Sequence, residues 1–110
     1  MKMIVSTIRT SKFPDIKHVL LQTGNTAFTV YPVSSSHRHT SVHHSSTDRE
    51  TAMVSKMRIE IAVDDAQVNS IINLICTTAD TNNDHNDVIA IYDLAQCIRI
   101  RTGEEGTAAL

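Results

Sequence analysis

Three cations in predicted strands are the residues best suited to bind a ligand. Lys56 begins one β-like segment, and Arg99 and Arg101 alternate with apolar residues in another. Strands hold side chains more firmly than loops do, and ammonium and guanidinium groups bind phosphate or carboxylate oxygens. The pattern predicts a preorganised anion site, and the alternative is a solvated strand face.

Histidines are concentrated in two polar segments, residues 34–55 and 82–88. Five of the six lie there, namely His37, His39, His43, His44 and His85. Imidazole is the commonest ligand of Zn, Cu and Ni, so these side chains could bind a divalent metal. No spacing among them fixes a tetrahedral set, and the alternative is that they are solvated loop residues.

The motifs of common enzyme classes are absent from the sequence. It contains no GxSxG nucleophile elbow, no Walker-type phosphate loop and no recognisable pair of catalytic carboxylates. We therefore predict a binding protein without catalytic residues. Ten basic residues against twelve acidic ones, and only four aromatic side chains, argue against a nucleic-acid partner.

The periodicity of apolar residues predicts the elements that position the cations. Alternation predicts strands at residues 1–9, 26–34, 56–63, 88–94 and 96–102, with a short strand or turn near 93–96. Spacings of three and four predict helices over 14–23 and from 64 to about 78, with Gly24 ending the first and Asp64 and Asp65 capping the second. The order βαββαβ predicts an α+β fold of the ferredoxin-like type, with two helices on one face of an antiparallel sheet.

Chain length and residue distribution predict how this fold is organised. The 110 residues fit a single domain, residues 1–110. Strand positions opposite the helices still carry Val, Ile and Met, so several copies are expected to associate with their sheets facing inward. Residues 34–55 are rich in Ser, Thr and His and predict a long loop of the kind that is usually functional or disordered.

The remaining sequence features concern the cellular compartment. No apolar run approaches the length of a membrane span and no signal peptide is recognisable, so a cytoplasmic location is expected. Cys76 and Cys97 lie in apolar segments at a spacing that matches no redox or zinc motif. Both are expected to be reduced core thiols.

Three segments resemble the PII family of signal-transduction proteins: MKMIVSTIR at 1–9, KMRIEIAV at 56–63 and IRIRTGEEGTAAL at 98–110. The similarity covers the chain apart from the two polar segments, and its most specific part is the tail. The resemblance implies a ferredoxin-like homotrimer with ligand clefts between neighbouring subunits. It also implies a regulatory role in nitrogen or carbon signalling, rather than catalysis.

The family has two functional loops. A T-loop, here about 34–55, contacts partner proteins such as a membrane transporter or a metabolic enzyme, and a B-loop, here about 82–88, cradles the phosphates of ATP or ADP. The resemblance implies a nucleotide or anion site at Thr29, Arg38, His39, Lys56, Glu60, Asn86, Asp87, Arg99 and Arg101.

Departures from the family pattern modify these expectations. Serines 34–36 replace a glycine-rich stretch, and the glycines and lysine of the B-loop are missing from residues 82–88. Asp84 and Asp87 would repel a triphosphate, so any adenine nucleotide is expected to bind more weakly than in typical relatives, with AMP or ADP favoured over ATP. The T-loop contains no tyrosine for uridylylation. The alternative function is a trimeric metal-binding or metal-sensing protein that uses the loop histidines.

Overall fold

The computed structural model describes residues 1–24, 27–37, 52–79 and 87–110. Its main elements are β1 (Lys2–Arg9), α1 (Phe13–Gln22), β2 (Thr29–His37), β3 (Ala52–Val63), α2 (Val68–Ala79) and β4 (Val88–Asp93). All neighbouring strands are antiparallel, in the order β2-β3-β1-β4. The element order confirms the predicted βαββαβ sequence and the ferredoxin-like α+β fold.

A layer of aliphatic side chains between the sheet and the helices forms the core. The alternation of side chains along a strand places every second residue of β1 and β3 on the helix-covered face. Each residue of this layer is at most 2% exposed. The layer consists of Ile4, Ile8, Ile59, Ile61 and Val63 from the sheet, and Ile16, Leu20, Ile71 and Ile75 from the helices. The opposite side of the sheet is called the open face below.

Ser6 interrupts the apolar layer, and removing its hydroxyl should stabilise the fold. The residue is buried, and in the sheet it pairs with Ile59 and Ile89. Its hydroxyl has no hydrogen-bond partner among the described residues. A buried polar group without a partner costs about 1–3 kcal/mol, so Ser6→Ala should raise the free energy of unfolding by roughly 1 kcal/mol in urea denaturation. Ser6→Thr keeps the hydroxyl and should show no gain. A less stable alanine variant would contradict the expectation.

The helix ends confirm one predicted signal and overturn another. Gly24 follows α1 with a φ of +82°, and its amide donates to the Leu21 carbonyl at 3.3 Å, as expected of a helix stop. Asp64 takes the predicted N-cap position and Asp65 lies in the first turn, but these are positions of a 3₁₀ turn, Asp65–Gln67, that leads into α2. The prediction of a side-chain cap was wrong, because the turn has no side-chain capping bond. The Asp65 carboxylate contacts the Met1 ammonium group at 2.9 Å instead.

Strands β2 and β3 continue into the segment that was predicted as a loop. Ser34–His37 pair with Ala52–Ser55, whereas the pairing of β1 with β3 stops at Arg9 and Lys56. The last four pairs therefore form a two-stranded extension beyond β1, called the arm below. Its residues are mostly polar, so the arm lacks the apolar alternation by which strands are predicted. The T-loop residues between its strands, 38–51, lie outside the described part of the chain.

The C-terminal segment does not add the strand predicted at residues 96–102. In the described chain from 94 to 110, a single bridge joins Ile98 to Glu105, and a turn brings the Gly103 amide to the Arg99 carbonyl at 2.7 Å. Ile98 and Ile100 are 56% and 100% exposed. The alternation was real, but neither isoleucine belongs to the core of its own subunit.

Two other expectations concern membrane helices and thiols. Neither helix of the described chain is long and apolar enough to span a membrane. The prediction of core thiols was wrong for Cys76, which is exposed on α2, and Cys97 is half-buried. The core-facing side of α2 runs through Ile71 and Ile75, and this places Cys76 outside the apolar layer.

Candidate functional site

A largely buried ion-pair cluster on the open face contains the predicted ligand residue Lys56. Its ammonium nitrogen lies 2.7 Å from Asp87 Oδ1, and Arg9 Nε lies 3.8 Å from Asp87 Oδ2. The side chains of Lys56 and Asp87 are 6% and 17% exposed. Arg9 and Lys56 are direct neighbours in the β1–β3 pairing, which brings two positive charges together. Asp87, the residue before β4, supplies the opposite charge.

An open pocket of about 390 Å³ lies beside Lys56 at the base of the arm. It is lined by Thr10, Pro32, Val33, Ser34, Ser55, Lys56 and Met57. The Thr10 hydroxyl donates to the Ser55 carbonyl at 3.3 Å, so the turn that follows β1 is bonded to the arm. The pocket thus lies at the base of the segment predicted to contact partners, and its lining includes Lys56 but neither Arg9 nor Asp87.

A second cluster of polar side chains on the open face is centred on Glu60. Tyr31 donates from its hydroxyl to Glu60 Oε1 at 2.6 Å, and Arg58 Nε donates to the same oxygen at 3.3 Å. The bond from Tyr31 is the main reason that the pKa of Glu60 lies below its ordinary value. The same bond raises the pKa of Tyr31. Thr29 pairs with Glu60 in the sheet, so these two predicted site residues are neighbours.

The two tail arginines lie on the C-terminal segment. Arg99 Nη2 donates to the carbonyls of Ala109 and Leu110 at 3.2 and 3.0 Å, and Arg101 is exposed. Within the described residues of one subunit, neither arginine forms a hydrogen bond or ion pair with Lys56. A single subunit therefore does not bring the three predicted cations together.

Several predicted site residues lie outside the described part of the chain. These are Arg38, His39, His43, His44, His85 and Asn86, while His37 ends β2 and its side chain is not described. Among the described residues, no group of three or more His, Cys, Asp or Glu side chains could hold a metal ion. The metal site at the loop histidines stays a prediction.

Sequence reasoning missed three residues of these clusters: Arg9, Tyr31 and Arg58. Each lies on a predicted strand, and alternation alone could have placed Arg9 and Arg58 on the face opposite the core. Which of them would meet Lys56 or Glu60 depends on the pairing of β1, β2 and β3. That pairing is not readable from spacing along the chain.

Comparison with known proteins connects this fold and site to one family. The family model described as "Nitrogen regulatory protein P-II" matches residues 1–104. Over 113 aligned residues the chain is 34% identical to nitrogen regulatory protein P-II 1 of Escherichia coli (strain K12), with all of both chains covered. It is 36% identical over 112 aligned residues to nitrogen regulatory protein P-II of Porphyra purpurea, again with full coverage of both chains. These similarities confirm the resemblance seen in the three segments. The chain belongs to the P-II family of nitrogen regulatory proteins, whose members are regulatory signalling proteins and not enzymes.

Proposed function

We propose that this regulatory protein senses a small anionic effector of the adenine-nucleotide class in clefts between the subunits of a homotrimer. It controls a partner protein, a membrane transporter or a metabolic enzyme, through residues 34–55. The two-stranded arm is the observation that carries the proposal. Its four residue pairs extend about 13 Å beyond β1 at about 3.3 Å per residue. An arm of this length can present the residues between its strands to a groove in another protein.

Uncovered apolar surface supports the homotrimer. Ile98, Ile100 and Tyr92 are exposed large apolar or aromatic side chains, and Ala62 is partly exposed on the open face. Exposed apolar surface of this kind marks an interface with another chain, and closed symmetry lets identical subunits cover it without forming filaments. A trimer with inward-facing sheets would bury the open face and give the tail a neighbouring subunit to pack against.

The charge of the open face supports an anionic effector. The pocket beside Lys56 falls within the roughly 300–1,000 Å³ range of small-molecule sites. In a trimer, Arg99 and Arg101 of one subunit can approach the pocket of the next subunit and supply phosphate-binding groups. Asp87 lowers the positive charge at this site, which favours AMP or ADP over ATP.

Deletion of residues 40–50 tests the role of the arm. The variant keeps the pairing of His37 with Ala52, and the remaining short connection can close the hairpin. We expect the trimer mass in light scattering to be unchanged, AMP affinity in calorimetry to stay within threefold, and partner capture from lysate of the source organism to be lost.

A matched control replaces residues 40–50 with a Gly/Ser segment of equal length, which keeps the reach of the loop but removes its side chains. It should also lose the partner. Full capture by the deletion variant would refute the partner assignment, and a monomeric wild type at micromolar concentration would refute the homotrimer.

A further inference from the structure

We propose that Asp87 is a built-in anion that occupies the anion-binding position formed by Lys56 and Arg9, and that its charge selects against multiply charged ligands. The inference rests on the proposed function in one respect, that the effector is an anion that binds at Lys56. It assigns Asp87 a role in specificity, because a ligand anion must displace its carboxylate or bind next to it.

The contacts of Asp87 are those of a bound anion. One carboxylate oxygen lies 2.7 Å from Lys56 Nζ and the other lies 3.8 Å from Arg9 Nε. Both cations are largely shielded from water, with side chains 6% and 15% exposed. Val88, the first residue of β4, pairs with Thr7, so the chain direction brings residue 87 towards the end of β1 where Arg9 lies. The path of the backbone thus places the Asp87 carboxylate next to the two cations.

The charge of the cluster determines which ligands it tolerates. Asp87 contributes one negative charge next to Lys56 and Arg9, and a neutral residue at position 87 would make this cluster more positive by one unit. Each further negative charge on a ligand is repelled by the Asp87 carboxylate at short range, where solvent screening is weak. Removing that carboxylate should therefore strengthen the binding of ATP more than that of AMP.

The test compares the wild type with Asp87→Asn in the full-length protein and uses inorganic sulfate as the probe. Sulfate replaces chloride at constant ionic strength, and its affinity is measured by calorimetry and by the shift of the unfolding midpoint. We expect sulfate to bind Asp87→Asn at least tenfold more tightly than the wild type. Asp93→Asn is the matched control. It removes the same charge at the other end of β4, from a carboxylate paired with Lys2, and should change sulfate affinity less than twofold.

Two further measurements test whether the gain in anion affinity depends on Lys56 and on the charge of the ligand. The double variant Lys56→Met/Asp87→Asn should lose the gain in sulfate affinity, because it lacks the buried ammonium group. The ratio of ATP affinity to AMP affinity should rise at least tenfold in Asp87→Asn and stay unchanged in Asp93→Asn.

Equal sulfate affinity in the wild type and Asp87→Asn would overturn the proposal. So would an Asp87→Asn protein that stays unfolded with and without sulfate while the double variant folds, because an external anion could then not replace the carboxylate. Sulfate-dependent folding of Asp87→Asn would support it. If sulfate affinity rises as expected but no nucleotide binds either protein, the role of Asp87 stands and the proposed effector class is wrong.

Discussion

The Ala62→Asp variant is expected to be a monomer at concentrations where the wild type forms the proposed trimer. Ala62 lies on the open face of β3 and pairs with Met3 of β1, between core residues Ile61 and Val63 that face the helices. In a trimer with inward-facing sheets, the new carboxylate would be buried without a partner at a cost of several kcal/mol per subunit. Threefold symmetry would place three such charges in one interface. Size-exclusion chromatography with light scattering measures the mass.

Asn73→Asp provides the matched control for this experiment. It adds the same charge on an exposed position of α2, on the outer side of the helix layer, and should remain a trimer. Circular dichroism should show unchanged secondary structure in both variants. A trimeric Ala62→Asp protein would mean that the subunits associate through a surface other than the open face.

Breaking the Lys56–Asp87 pair is expected to destabilise the fold strongly. Asp87→Asn leaves the Lys56 ammonium buried beside Arg9 without its counter-ion, and loss of one partner of a buried pair costs about 3 kcal/mol. The double variant Lys56→Met/Asp87→Asn should recover most of this loss, because it leaves no uncompensated ammonium group. Urea denaturation of the wild type, Lys56→Met, Asp87→Asn and the double variant gives the coupling free energy between the two side chains.

The surface pair Lys2–Asp93 is the control for this double-mutant cycle of Lys56 and Asp87. Its side chains are 34% and 88% exposed, so water and salt screen the interaction and its removal should not shift the urea midpoint measurably. Single and double variants of Lys56 and Asp87 with additive effects would contradict a coupled pair.

Local sequence patterns determined the elements and the core of this protein. Period-two alternation in residues 1–9 and 56–63 predicted β1 and β3, and the three- and four-residue spacing of Ile16, Leu20, Ile71 and Ile75 predicted the helix faces that contact them. These patterns are readable because the core selects apolar residues at each period. The family resemblance was also present in contiguous segments.

Tertiary structure alone decided how the site is assembled. Lys56 and Asp87 are 31 positions apart, and Arg9 reaches both only through the pairing of β1 with β3 and β4. The arm is a pair of strands made mostly of polar residues, so it was predicted as a loop. The tail alternates apolar and charged residues, so it was predicted as a strand, although its apolar side chains are exposed within one subunit. Strand pairing joins residues that are distant along the chain, and no local spacing specifies which polar side chains will meet. For this reason the sequence predicted Lys56 and Asp87 as site residues but did not predict that they form an ion pair or that Arg9 lies beside them.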